Sequence, residues 1–253
     1  MEKRGQIAIW VILSLVLVGA ITLFFALEKK PPITSVSTSN SKAFIEKCTT
    51  QAVYEAVDLM LPQGGYLNPS NFKLYQNNKI NYLCYNQGYY KTCINQEPMF
   101  IQHLKQEIKD YITPKVEQCF NLLKQDSQKR KYDVAMSETN SLNVELNNGK
   151  ISVEINKTLN LKKNEDQQKY DKFSIEISSS LYNLGIIGQE IANQESKFCY
   201  FEYLGYMLLY PNYNIEKIDL NGEVKIYKIN EKSNDKEKLW IAIRSCAMPP
   251  GGM

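Results

Sequence analysis

The sequence predicts an α+β protein hung from a single membrane helix, and three observations predict it. Residues 7–27 carry no charge and are mostly Ile, Val, Leu, Phe and Ala. Beyond them, apolar residues recur first at helical spacing and then in alternation. These blocks are separate, with no regular strand–helix–strand repeat, the pattern of segregated helices and antiparallel hairpins. All six cysteines lie past residue 42, as in an exported domain held by disulfides.

The first six residues form a short basic segment with Lys3 and Arg4. Ile7 to Leu27 then spans roughly 31 Å as a helix, the thickness of a bilayer's hydrocarbon core. No small-residue cleavage site follows it; the next residues are Glu28-Lys29-Lys30-Pro31-Pro32. The segment therefore reads as a retained single-pass anchor rather than a removed secretory signal. Lys3 and Arg4 on one side nearly balance Lys29 and Lys30 on the other. Cysteine usage decides the orientation, placing the C-terminal domain outside the cytoplasm at the plasma membrane. Pro31-Pro32 stops the helix. Residues 28–41, rich in Pro, Ser and Thr, have little to bury and read as a linker. Residues 42–247 form the α+β domain, and 248–253 a disordered tail.

Within the domain, Ser41 to Leu61 reads as a helix, with Ile45, Cys48, Ala52, Ala56 and Leu59 on one face. Pro62-Gln63-Gly64-Gly65 ends it. Short strands are expected at 72–75 and 80–85. A second helix starts at Pro98, with Phe100, Leu104, Ile108, Tyr111 and Ile112 inward; Thr113-Pro114 is expected to kink or restart it before it ends near Gln125. Leu142, Val144 and Leu146 alternate up to Asn147-Asn148-Gly149-Lys150, and Ile151, Val153 and Ile155 alternate after it. That is a strong hairpin signal. A helix is expected from Phe173 to Lys197, with a strand as the alternative for its first half because of Ser178-Ser179-Ser180. A second helical stretch runs from Phe198 to Tyr210. Strands at 223–229 and 239–245 follow, joined by a charged loop at 230–238.

Six cysteines allow fifteen pairings. Cys84 and Cys93 flank a turn and are expected to bridge locally. Cys48 and Cys119 fall on the apolar faces of two helices, and their bridge would staple them. Cys199 and Cys246 remain as the third pair. No C-x-x-C occurs and there is one histidine, so zinc spacing is absent. The chain has 30 Lys and Arg against 27 Asp and Glu, too even a balance for a nucleic-acid partner. Lys124, Lys129, Arg130 and Lys131 read as a solvated loop.

Catalytic signals are weak. His103, the single histidine, is expected on a helix flank, solvated or cap-like. Glu107 with Asp110, and Glu216 with Asp219, read as wet-face carboxylates rather than a glycosidase pair. No cofactor, metal or catalytic residue is expected. Asn156-Lys157-Thr158 is a glycosylation sequon, making Asn156 a candidate modification site. Tyrosine is abundant, at 17 residues. Tyr203, Tyr206 and Tyr210 would share a helix face, as packing residues or as an aromatic platform for a glycan or protein partner.

Lys3-Arg4-Gly5-Gln6, running directly into a long apolar helix, resembles the archaeal class III signal peptide, the prepilin-type leader. The resemblance implies cleavage between Gly5 and Gln6 on the cytoplasmic side, and a single-pass surface protein. Trp10 stands where many pilins carry an acidic residue, and Pro31-Pro32 interrupts a helix that pilins continue into the head. The expected function is thus a membrane-anchored cell-surface protein with a structural or interaction role and no enzymatic activity. A pilin-like filament subunit is the first alternative, and a carbohydrate-binding or hydrolytic surface protein the second.

Overall fold

Two features order the fold: an antiparallel pair of long helices, and a sheet that joins the two ends of the domain. The computed structural model describes residues 40–137 and 141–249. The leader with Gly5 and Gln6, the segment 7–27, nearly all of the linker and the last residues of the tail lie outside them. Among the described residues no helix is long and apolar enough to cross a membrane.

Helix α1 (Ser41–Met60) starts where Asn40 Oδ1 accepts the Ala43 N–H at 3.0 Å, a side-chain cap for an otherwise orphaned donor. Its buried stripe includes Ile45, Thr49, Ala52, Val53, Ala56, Val57 and Met60. Leu59, expected inward, lies outside that stripe and is exposed. A 3-10 turn, Leu61–Gln63, leads into Gly64 and Gly65 at φ 78° and 83°. Gly65 has a second reason to lack a side chain: a Cβ there would come within 2.9 Å of Leu104 and Phe100.

Helix α2 (Phe100–Lys129) runs unbroken through Pro114, correcting the expected kink or restart. Pro114 is on the exposed side, where water can satisfy the Asp110 carbonyl that loses its helical donor. Thr113 does not cap; its hydroxyl donates back to the Lys109 carbonyl at 2.6 Å. Helices α1 and α2 are antiparallel, joined by Cys48–Cys119 with Cα atoms 6.2 Å apart and by Lys115 Nζ on Glu55 Oε2 at 2.8 Å.

Strands β1 (Phe72–Tyr75) and β2 (Asn78–Tyr85) form a hairpin, and β3 (Ile94–Asn95) pairs with β2. Cys84–Cys93 closes this corner. The hairpin read around Asn148-Gly149 is present as β5 (Ser141–Asn147) and β6 (Lys150–Asn156), with Asn147 opposite Lys150 and Gly149 at φ 74°. Strand β9 (Phe173–Ser178) adds to β6, so the first half of the segment expected to be helical takes its strand alternative. Phe173, Ile175 and Ile177 alternate inward there. Three short strands are absent from the sequence expectation: β4 (Asp133–Met136), β7 (Leu159–Lys163) and β8 (Asp166–Tyr170), which form their own sheet.

Helix α3 (Leu181–Phe198) buries Leu181, Leu184, Ile187, Gly188 and Ile191. It lies between two sheets, touching β5 and β6 on one side and β2, β11 and β12 on the other. The expected second helical stretch is shortened to α4 (Tyr203–Leu209), because Cys199 turns left-handed and Phe201 is buried before it. Strands β10 (Tyr213–Leu220), β11 (Val224–Glu231) and β12 (Asn234–Arg244) complete the larger sheet in the order β1-β2-β12-β11-β10. The expected charged loop 230–238 is mostly strand, and β10 was not foreseen. Cys199–Cys246 ties the end of α3 to the chain just past β12. Three bridges of this kind fit an oxidising, extracellular environment.

Candidate functional site

The surface around α4 is the candidate interaction site. Glu202 caps this short helix, accepting the Gly205 N–H at 3.3 Å, and the Tyr200 hydroxyl donates to the same carboxylate at 2.7 Å. That bond raises the Tyr200 phenol and lowers Glu202, each chiefly through the other. Phe201 anchors the segment, 1% exposed, edge-on to Tyr227 with centroids 6.1 Å apart. Tyr206 leans on Phe201 at 5.5 Å and on Tyr210 at 4.6 Å. Met207 Sδ accepts the outward N–H of Ile215 at 3.2 Å, covering part of the open edge of β10.

The three tyrosines singled out in the sequence do not stand side by side in solvent. Tyr203 and Tyr206 are half-buried, and burial raises the Tyr206 phenol; Tyr210 is exposed. The outward face belongs to leucines that sequence reasoning missed: Leu204 at 56% exposure, Leu208 at 84% and Leu209 at 77%. No residue of α4 is buried. Phe198, Tyr200 and Tyr210 extend the exposed apolar surface along the same stretch of chain. The available signal was Leu208-Leu209 just before Pro211, read as a helix interior.

Behind this surface lies a buried charge. Glu195 is 0% exposed and accepts from Lys225 Nζ at 2.6 Å and from the Tyr227 hydroxyl. Lys225 also donates to the Cys199 carbonyl. The Ser245 hydroxyl reaches the Glu195 carbonyl at 2.8 Å, and accepts the Cys93 N–H at 3.1 Å. One network thus fastens α3, β11 and both neighbouring bridges. Burial, then the adjacent Glu195, hold the Tyr227 phenol far above its ordinary value.

His103, expected as a solvated or cap-like residue on a helix flank, is half-buried. Its ring lies 4.0 Å from the Tyr66 ring, and Nε2 is 3.1 Å from the Gly65 carbonyl. Glu97 stands 3.7 Å from Nδ1 and Glu107 3.9 Å from Nε2. Tyr66 donates to Glu97 at 3.2 Å, and the Leu67 N–H to Glu107 at 2.8 Å. Burial and the Glu97 charge push the Tyr66 phenol up, so it stays a donor. These contacts fasten the loop 64–67 to α2 and to Glu97 in the segment leading into it; the cluster acts as a latch.

Each of the paired carboxylates has a partner of its own. Glu107 serves the latch, and Asp110 accepts from Gln106 at 2.7 Å. Glu216 sits on β10 facing Lys228 at 3.9 Å, and Asp219 accepts the Gly222 N–H at 2.7 Å. A shallow depression of about 500 Å³ lies between Leu59, Leu67, Asp110, Tyr111 and Lys115. Its charges are already engaged, Lys115 by Glu55 and Asp110 by Gln106. Among the described residues no group of His, Cys, Asp and Glu is arranged to hold a metal ion, and all six cysteines are bridged. Asn156 is exposed at the end of β6, its amide donating to the Ser141 hydroxyl at 3.0 Å, while Lys157 beside it is buried on Glu117 at 2.9 Å. The chain matches no protein-family model, no curated protein and no solved structure.

Proposed function

We propose that this chain is a single-pass, membrane-tethered surface protein whose disulfide-stapled head lies outside the cytoplasm and works by binding another protein. The observation that carries the reading is the leucine face of α4. An exposed apolar cluster of this kind, backed by a rigid network and rimmed by tyrosines, is what a protein interface presents. The bridges support the compartment, and the uncharged segment 7–27 supports the anchor.

The test places a photo-crosslinking residue at position 208 of the full chain in its native membrane, with position 176 on the outer face of β9 as the control. A discrete adduct is expected from 208, and from a label at position 204, but not from 176. The adduct from 204 should disappear when Leu208→Asp and Leu209→Asp are introduced, with the unfolding free energy unchanged within about 0.5 kcal/mol. Equal labelling from 208 and 176 would remove the reading. The N-terminal residue of the same preparation tests the leader: a chain starting at Gln6 indicates prepilin-type cleavage after Gly5, and one starting at Met1 a static anchor.

A further inference from the structure

One bridge differs from the other two in ways that bear on its chemistry. Cys199 and Cys246 both have left-handed backbones, at φ 57° and 47°. A residue with a Cβ is strained there. None of the other four cysteines has a positive φ. Access differs as well. Cys84 and Cys93 are 0% and 3% exposed, and Cys119 is 3% exposed. Cys199 and Cys246 are both half-buried, so this bridge alone offers both of its residues to solvent. Its position matters too. Cys199 is the corner where the chain leaves α3 for α4, and the leucine face begins five residues on.

We propose that Cys199–Cys246 is a thiol-exchange site: a dithiol reductant opens it before the other two bridges, and opening it loosens the corner that carries α4. The consequence for binding rests on the reading of α4 as the interface. In the exchange, a reductant thiolate attacks the Sγ of one cysteine and forms a mixed disulfide, releasing the other as a thiolate. The second thiol of the same reductant then displaces the remaining cysteine. The reductant leaves as a cyclic disulfide, having supplied both electrons, and its two protons end on Cys199 and Cys246.

The experiment uses the oxidised full chain in detergent micelles, treated with graded dithiothreitol, quenched with iodoacetamide and mapped as peptides. Cys199 and Cys246 are expected to become alkylated at a reductant level roughly tenfold below that needed for the other four. Simultaneous opening of all three bridges, or earlier opening of Cys48–Cys119 or Cys84–Cys93, overturns the proposal. At the level where this bridge alone is open, hydrogen exchange should speed up at the Tyr206 and Tyr210 amides, which donate to Glu202 and Tyr206 at 3.0 and 2.8 Å. Unchanged exchange there overturns the second half. A Cys199→Ser, Cys246→Ser double variant should show the same fast exchange without reductant. No binding partner enters these measurements, so their failure leaves the interface reading standing, and failure to find a partner leaves the exchange site standing.

Discussion

Glu195 shows how much hangs on single residues in this head. It is a fully buried carboxylate whose charge is met by Lys225 and by the Tyr227 hydroxyl. Replacing Lys225→Met would strand that charge in a low-dielectric site. The expected loss is about 3–5 kcal/mol in urea unfolding, because an unpaired buried charge costs more than the pair contributes. Glu237 works in the opposite sense. It is 6% exposed and accepts the Ser180 N–H at 2.6 Å and the Ser179 hydroxyl at 3.1 Å. Burial outweighs these donors and raises its carboxyl above the ordinary 4.5. In the window between that ordinary value and the raised one, the folded state binds more protons than the unfolded state, so this residue makes stability fall as pH rises. Glu237→Gln should flatten that part of the profile, measured as urea midpoints of both proteins between pH 7 and pH 4.5. An identical slope in the two would contradict the assignment. Neither residue was legible in the sequence. Glu195 reads as one more polar residue near a helix end, and its partners lie 30 and 32 positions away. His103 is the same case, since Gly65, Tyr66 and Glu97 reach it only through the fold.

Elements were legible where one period ran without competition. The Asn148-Gly149 hairpin and the apolar stripe of α2 are examples, and so is the helix pair that brings Cys48 to Cys119. Elements were misread where two periods overlapped. Phe173, Ile175 and Ile177 alternate, yet Ile177, Leu181 and Leu184 also repeat at helical spacing, and only Ser178-Ser179-Ser180 marks the change. Strand β12 begins earlier than its sequence suggests, because Asn234 to Lys238 looks like a charged loop, whereas in the strand Asp235 and Lys236 face solvent and Glu237 is buried on Ser179 and Ser180. Pro114 does not interrupt α2. Proline interrupts a helix through a lost donor and a clash, but tertiary packing along Ile108, Ile112, Val116 and Cys119 holds α2 together through it. Pro114→Ala should restore the donor to the Asp110 carbonyl and raise stability by about 1–3 kcal/mol, read as a higher thermal midpoint with the bridges intact. A drop in the midpoint would mean that the ring contributes packing the helix needs.

The whole molecule is organised by a pairing that no local pattern announces. β12 lies parallel to β2, with Ile243 opposite Cys84 and Arg244 opposite Tyr85. The large sheet therefore joins the first third of the head to its last strand, and α3 packs across that junction. A chain ending at Lys238 would lack the residues that pair with β2 and the cysteine that meets Cys199. It is expected to give no cooperative unfolding transition and to leave Cys84 and Cys93 open to alkylation under mild reductant. A cooperative transition in that truncated chain would show that the two helices and the β5-β6-β9 sheet stand alone. The parallel pair also sets a clock for biosynthesis. β2 leaves the ribosome with its inner edge unpaired and waits for a partner some 160 residues downstream, roughly 10–30 s at ordinary elongation rates. For that interval the nascent head carries an open strand edge, and in its last part a Cys199 thiol whose mate, Cys246, has not yet been made. Its yield should then depend on how well a chaperone shields β2, and on how late oxidation is allowed to begin.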